Sequence, residues 1–350
     1  MVRILGGGPA GAAAAIAARG EGAPVELYEP SPVPRHRVCG EFLSPEALPL
    51  LDSLGVLGEC TRARPARIAR FTLRVGRWEK SARLPEPAWG FSRYRLDRIL
   101  LDRAAALGVR IVPERRTEAD VDVVASGRPG FVDVLARDFP QIERLARRVV
   151  PGGKIQYDHL FGFKAHFRGP STDAVELYFS RFGYAGVSAV EDGLVNVCGL
   201  VHEHVLEEHG RDPDALLASQ PAVAARLSTL SRKTGWLVAG PVMPTEDLTW
   251  RRSGPYLAGD RLGTFEPFTG TGILAALLSG SMAGRAAARR TAVSTYFSDA
   301  SRILGRPFLF ASAFAAALDT GLALFLTPLV PAGWLFRLTR PSRRCVQAAP

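Results

Sequence analysis

Residues Val2-Arg3-Ile4-Leu5 read as a short buried strand that runs directly into Gly6-Gly7-Gly8-Pro9-Ala10-Gly11. An alanine-rich stretch to Arg19 follows, strongly helix-prone and stopped at Gly20, and residues 25–29 form a second apolar strand ending in Glu29. A strand, a glycine turn, a helix and a strand within about 30 residues specify a parallel, doubly wound sheet. Gly6, Gly8 and Gly11 have the G-x-G-x-x-G spacing. The first glycine permits a tight turn, the second lets backbone approach a pyrophosphate, and the third lets helix and strand pack closely. Pro9 and Ala10 open the helix, whose unpaired amides and positive dipole end suit phosphate oxygens. Glu29, 18 residues after Gly11, stands where a carboxylate accepts hydrogen bonds from ribose hydroxyls. A dinucleotide site is expected here, and this motif alone does not choose between NAD and FAD.

With 350 residues, 47% apolar and 22% charged, the chain suits about two domains and neither a disordered nor a fibrous protein. Its formal charge of +10 is almost wholly arginine and suits nucleic acid, anionic lipid or anionic ligands alike. No nucleic-acid module matches, so no such partner is expected. Cys39, Cys60, Cys198 and Cys345 form no C-x-x-C pair, and neither a disulfide framework nor a zinc site is suggested. His202 and His204 lack the further ligands a metal site needs. No secretory signal is read at the start of the chain, and a cytoplasmic protein is expected.

A helix is expected from Ser44-Pro45-Glu46 onward and another over 96–107, with strands at 109–112 and 121–125. The middle of the chain changes period. Phe161, Phe163, Ala165 and Phe167 alternate with Gly162, Lys164 and His166, and similar strands follow at 175–179, 183–190 and 194–201. The last two are separated by the turn Asp192-Gly193. Four closely spaced strands predict an inserted antiparallel sheet, with His166 and Tyr178 on its polar faces either as satisfied structural polar groups or as candidate proton donors. A helical segment at 212–230 precedes strands at 236–239 and 255–258, the latter ending in Gly259-Asp260. Residues 307–336 hold one formal charge, Asp319, between arginine-rich flanks, and are expected to pack on the protein body or to make peripheral membrane contact.

Tyr256-Leu257-Ala258-Gly259-Asp260, followed by Glu266-Pro267-Phe268-Thr269-Gly270-Thr271-Gly272, resembles the flavin-ribityl motif of the p-hydroxybenzoate hydroxylase-like FAD-dependent oxidoreductases. The likeness is nearest to the geranylgeranyl reductase-related branch. Val38-Cys39-Gly40-Glu41-Phe42-Leu43-Ser44-Pro45, Ser92-Arg93-Tyr94-Arg95-Leu96-Asp97 and residues 184–201 agree with it, so the similarity runs discontinuously over about residues 1–285. It implies an α/β (α+β overall) protein. Residues 1–60, 88–150 and 232–300 would form a Rossmann-like FAD-binding domain, 61–87 and 151–231 an inserted substrate domain, and 301–350 a C-terminal apolar helical segment.

The resemblance also implies roles. Asp260 would bond the ribityl chain of FAD. Gly270, Thr271 and Gly272 would offer backbone amides to the flavin N1/C2=O edge, where reduced flavin is negative and a helix N-terminus is stabilising. Arg93 and Arg37 would contact the cofactor, and Cys39 is the candidate catalytic residue, flanked by Arg35 and Arg37, which favour thiolate. The expected activity is oxidation or reduction of an apolar lipid-, isoprenoid- or polyketide-like substrate, by double-bond reduction or flavin monooxygenation. The sequence departs from the family in four places. Ser126 stands where an acid normally does, which weakens direct engagement of NAD(P)H, the candidate reductant. The stretch 110–121 is short for the usual meander. Only Tyr184 remains of the reductases' Tyr-x-Trp-x-Phe-Pro motif, and the halogenases' Trp-x-Trp-x-x-Pro element is missing. A flavin-binding electron carrier or non-catalytic flavoprotein is the alternative reading.

Overall fold

The computed structural model describes residues 1–127, 160–180, 183–242, 253–263, 266–319, 333, 336, 338–341 and 346. In chain order the N-terminal part contains β1 (Val2–Leu5), α1 (Pro9–Gly20), β2 (Val25–Tyr28), β3 (Phe42–Leu43), α2 (Leu48–Ser53) and α3 (Leu57–Arg62). A hairpin, β4 (Ala66–Val75) and β5 (Trp78–Gly90), leads to α4 (Arg93–Ala106), β6 (Arg110–Val112) and β7 (Val123–Val124). The middle holds β8 (Leu160–Arg168), β9 (Ala174–Ser180), β10 (Gly183–Ala189) and β11 (Leu194–His202). After them come α5 (Glu203–Glu208), α6 (Pro213–Ala218), α7 (Pro221–Leu227), β12 (Ser231–Arg232) and β13 (Leu237–Val242). The chain returns through β14 (Tyr256–Leu257), α8 (Gly272–Arg289) and α9 (Val293–Asp319).

Two sheets result. The first is parallel, in the order β14-β7-β1-β2-β6, as the glycine-turn unit predicts. The second runs β12-β8-β11-β10-β9-β4-β5-β3, with β13 also beside β8. It is mixed rather than antiparallel, because β4 of the 66–90 hairpin joins β9 in parallel. This sheet extends through Val242, beyond the expected return to the first domain at residue 232. The turn at Asp192-Gly193 is present, both residues having positive φ. Helix α4 begins three residues earlier than expected because Ser92 caps it, accepting from the Arg95 amide at 3.2 Å. Proline at the starts of α6 and α7 divides the expected 212–230 helix. The 307–336 segment begins inside α9, and residues 320–332, 334 and 335 of it lie outside the described residues. Among the described residues no helix is long and apolar enough to cross a membrane.

The contact between α1 and α8 fixes the site. Helix α1 presents Ala12, Ala13, Ala14, Ala15 and Ala18, all fully buried. A Cβ on Gly280 would lie 2.1 Å from Ala10 O, and one on Gly284 would lie 2.1 Å from Ala14 O. The two backbones therefore touch directly, and only glycine fits at either position of α8. Gly259 is drawn into the same contact, its amide donating to Ser279 Oγ at 2.9 Å. On the second sheet, Phe163, Ala165 and Phe167 of β8 pack against Val205, Leu206, Leu216, Leu217 and Val223 of α5–α7. The opposite face of β8 turns towards the first domain.

Gly284→Val is expected to destabilise the fold by about 2–4 kcal/mol, because overlap with backbone cannot be relieved by a rotamer change. Gly305→Ala, where nothing lies within 4 Å, should stay within about 1 kcal/mol of the parent. Urea unfolding of both variants checks the pair.

Candidate functional site

The N-terminus of α1, the N-terminus of α8, the loop 37–42 and the strand end at 259–260 surround one cavity of about 530 Å³. Gly6, Gly8, Pro9, Ala10, Glu29, Arg37, Cys39, Arg93, Ser126, Asp260, Gly270 and Gly272 all line it. Gly11 and Thr271 stand just behind this surface. A Cβ on Gly11 would overlap Gly6 O at 1.7 Å, which is the close helix–strand packing that its place in the spacing predicts. Thr271 is fully buried.

The glycines divide by what holds them. Gly6 has φ +98°, and a Cβ there would lie 2.4 Å from Ala125 O, so conformation and packing both demand glycine. Gly8 is different: its φ of −71° suits any residue, and a Cβ would meet only Arg93 Nη2 at 3.7 Å. Gly272 has nothing within 4 Å. Neither position needs glycine for the protein's own sake, and both border the cavity. A ligand lying flat on the backbone accounts for them. Among the described residues the Gly8, Ala10, Gly272 and Ile273 amides have no acceptor within the protein. The amides expected from Gly270 and Thr271 are not free: Gly270 donates to Pro267 O at 3.1 Å and Thr271 to Thr269 Oγ1 at 3.3 Å. The αL turn at Gly270 folds those two donors back on itself and leaves Gly272 and Ile273 to face outward.

Charged side chains are placed with equal economy. Glu29 accepts from the Gly7 amide at 2.8 Å and the Ser31 amide at 3.0 Å, which fixes its carboxylate at the strand end. Arg93 is half-buried and pairs through two bonds with Asp97, Nε–Oδ1 at 2.7 Å and Nη2–Oδ2 at 2.8 Å. Burial works against its charge, and the Asp97 carboxylate outweighs it, so the guanidinium is held even more firmly protonated than usual. Arg37 has no hydrogen bond or ion pair among the described residues. Burial first, then the charges of Arg35 and Arg93, lower its pKa. A cation crowded by cations at the rim of a cavity suits an anionic ligand such as a pyrophosphate. Ser126 is exposed at the cavity edge beside Gly6.

Cys39 Sγ accepts from the Glu41 amide at 3.3 Å, and the Cys39 carbonyl accepts from Asn196 Nδ2 at 3.1 Å. Its neighbour across the loop, Cys198, is buried, and burial pushes that thiol up to about 12. Cys60 lies in the core, away from the cavity.

The sequence reading missed the residue that secures this loop. Glu41 is fully buried, has φ +53°, and accepts from Lys164 Nζ, from His166 Nε2 at 2.6 Å and from the Arg93 amide at 2.8 Å. Burial opposes its charge, but the His166 hydrogen bond and the Lys164 ammonium prevail and hold the carboxyl below its usual range. Of the two readings of His166, the satisfied structural group fits: it is 2% exposed and bonded to Glu41. Tyr178 is likewise buried, its hydroxyl donating to Glu176 at 2.7 Å. His36 stacks on Tyr94 and meets His166 edge-on at 5.1 Å. His36, Glu41 and His166 could geometrically share a cation, with ligand atoms within 4.8 Å of one another, but the Lys164 ammonium already occupies the carboxylate.

No family model matches the chain, and no curated protein matches it. Solved structures do. A flavin-dependent brominase superposes with a TM-score of 0.73 over 99% of this chain and 93% of its own, at 17% identity. The myxobacterial chondrochloren halogenase gives 0.72 over 99% and 94%, at 18% identity. The chain has the fold of the FAD-dependent oxidoreductases. A geranylgeranyl bacteriochlorophyll reductase-like protein from Thermoplasma acidophilum shares this flavoprotein fold at a TM-score of 0.65 over 99% and 94%, with 16% identity.

Glu41→Gln should destabilise this flavoprotein fold by about 3–5 kcal/mol, since Lys164 would be left buried without its counter-charge. The folded-state pKa of Glu41 is depressed, so its contribution is complete above the ordinary carboxylate range near 4.5 and is lost as pH falls through the lower folded value. Unfolding free energies measured from pH 6 down to about pH 3 should fall less steeply in Glu41→Gln than in the parent.

Proposed function

We propose that the protein is an FAD-dependent oxidoreductase acting on an apolar substrate, by double-bond reduction or by flavin monooxygenation. The observation that carries the reading is that two cavities of unequal polarity meet. The larger and more polar one is the trench between the two helix N-termini. A smaller one of about 100 Å³ adjoins it and shares Gly40, Phe42, Tyr184, Cys198, Pro267 and Gly270 with it. Its remaining wall is mainly Phe71, Leu73, Val175, Leu177, Phe268 and Phe336. Such a pocket takes the apolar reacting end of a substrate and excludes water from it. A carrier without turnover has no use for this second chamber.

The residues of the trench fit FAD, which supplies the redox chemistry when bound. The Gly8 and Ala10 amides with Arg37 would hold the pyrophosphate, Glu29 the adenosine ribose and Asp260 the ribityl chain. The Gly272 and Ile273 amides would face the pyrimidine edge of the ring, where the α8 N-terminus favours negative charge. The polar groups of Glu41, Lys164 and His166 are consumed in fixing the 37–41 loop. Cys198 lines both chambers but burial keeps its thiol protonated, and Cys39, on the wall of the larger one, is left as the candidate nucleophile. NAD(P)H remains the candidate reductant. Exposed Leu309 and Phe310 on α9 support delivery of substrate from a lipid surface. Halogenation, the activity named for two of the structural neighbours, is disfavoured by the missing Trp-x-Trp-x-x-Pro element.

Purified protein is expected to show the absorption bands of oxidised flavin, released by acid and identified as FAD by mass. Asp260→Ala should weaken FAD retention about tenfold, and Cys39→Ser should leave it unchanged. Protein that neither carries nor binds FAD, or equal loss in both variants, contradicts the reading. Anaerobic single turnover against a requirement for oxygen then separates reduction from oxygenation.

A further inference from the structure

We infer that Arg340 is a positioning residue for the turn 269–272 and that its buried positive charge raises the reduction potential of a flavin held by that turn. The inference rests on the flavin reading above. Arg340 follows α9 in the chain, and no motif points to it. Nevertheless it is only 9% exposed and reaches the turn directly. Its Nη2 donates to Thr269 O at 2.6 Å and its Nη1 to Phe336 O at 3.0 Å. The guanidinium lies 3.4 Å from the Phe336 ring centroid and 5.7 Å from that of Phe42. One residue earlier, Thr339 O accepts from Thr271 Oγ1 at 3.2 Å. Two consecutive residues thus grip the turn on both sides of Gly270, whose φ of +67° sets the direction in which the following amides point.

The charge itself needs a separate explanation. Neutral donors could satisfy the Thr269 and Phe336 carbonyls equally well. Among the described residues the nearest carboxylate is Glu46, with its Oε2 4.0 Å from Arg340 Nε, and neither of these two buried atoms has a hydrogen-bond partner. Burial pushes the guanidinium pKa down to about 10, with Glu46 opposing, so it stays protonated at neutral pH. An under-compensated cation in a dry wall acts at longer range than one in water. It bonds the carbonyl of Thr269, the residue before the αL Gly270, and from there its field adds to that of the α8 N-terminus. Reduced flavin carries more negative charge at its pyrimidine edge than oxidised flavin does, so with that edge held at the terminus both fields would favour the reduced form.

The test compares FAD-loaded parent, Arg340→Met, Arg340→Lys and Glu46→Gln by dye-equilibrated reduction potential at neutral pH and by fluorescence titration with oxidised FAD. Arg340→Met should weaken binding of reduced relative to oxidised FAD about tenfold, a fall of about 30 mV in the two-electron potential. Arg340→Lys should stay close to the parent, and Glu46→Gln, which removes the opposing charge, should move the potential upward. FAD bound with the potential unmoved in Arg340→Met, or a downward shift in Glu46→Gln, overturns the inference. Where Arg340→Met fails to fold or to hold FAD, the sign of the Glu46→Gln shift decides. A parent protein that binds no FAD overturns the functional reading and this inference together.

Discussion

The site depends on one close approach, backbone against backbone, between α1 and α8. Gly280 and Gly284 let α8 lie directly on Ala10 and Ala14, and that contact sets two helix N-termini side by side although more than 250 residues of chain separate their starts. Each terminus brings unpaired amides and a positive dipole end. Placed together, they make a trench suited to a long anionic ligand rather than two unrelated anion sites. Gly259, wedged between Ala10 and Ser279, puts Asp260 at the same place. Small side chains are thus the structural requirement, and the electrostatics follow from them.

The second sheet completes the trench through a polar contact rather than an apolar one. Lys164 and His166 occupy the face of β8 turned away from the α5–α7 core and meet Glu41 there. Buried ion pairs add little net stability compared with apolar packing. This one instead fixes a loop in one conformation, including a glutamate at positive φ, a strain worth roughly 1 kcal/mol or more. The Arg93 amide belongs to the same group through its bond to Glu41, so this cavity-lining arginine and the second sheet are mechanically one unit.

What was legible in the sequence was local. The Gly6, Gly8 and Gly11 spacing, with Glu29 after it, predicts the turn, the helix and the parallel sheet because all the determining atoms lie within one supersecondary unit. The strand periodicity at 161–167 is equally plain, but it does not show what satisfies the polar half. The surface that covers Lys164 and His166 comes from residue 41, 123 and 125 positions away. The 66–90 hairpin carries too few apolar alternations to announce itself, with Arg70, Arg74 and Arg83 on it. The Gly270 and Thr271 amides looked available from the motif, and only the αL geometry shows that they are used internally. Arg340 had no sequence signal, because an arginine in an arginine-rich tail resembles its neighbours until Phe336, Phe42 and Thr269 close around it.

The proposed cofactor site requires that a single ligand span the two helix ends. A crystal structure of the protein with FAD tests this most directly. Continuous density from the Gly8–Ala10 amides to Gly272, with the ring edge at α8 and the adenosine near Glu29, is the predicted result. FAD held at one terminus alone, or lodged outside the trench, would contradict it.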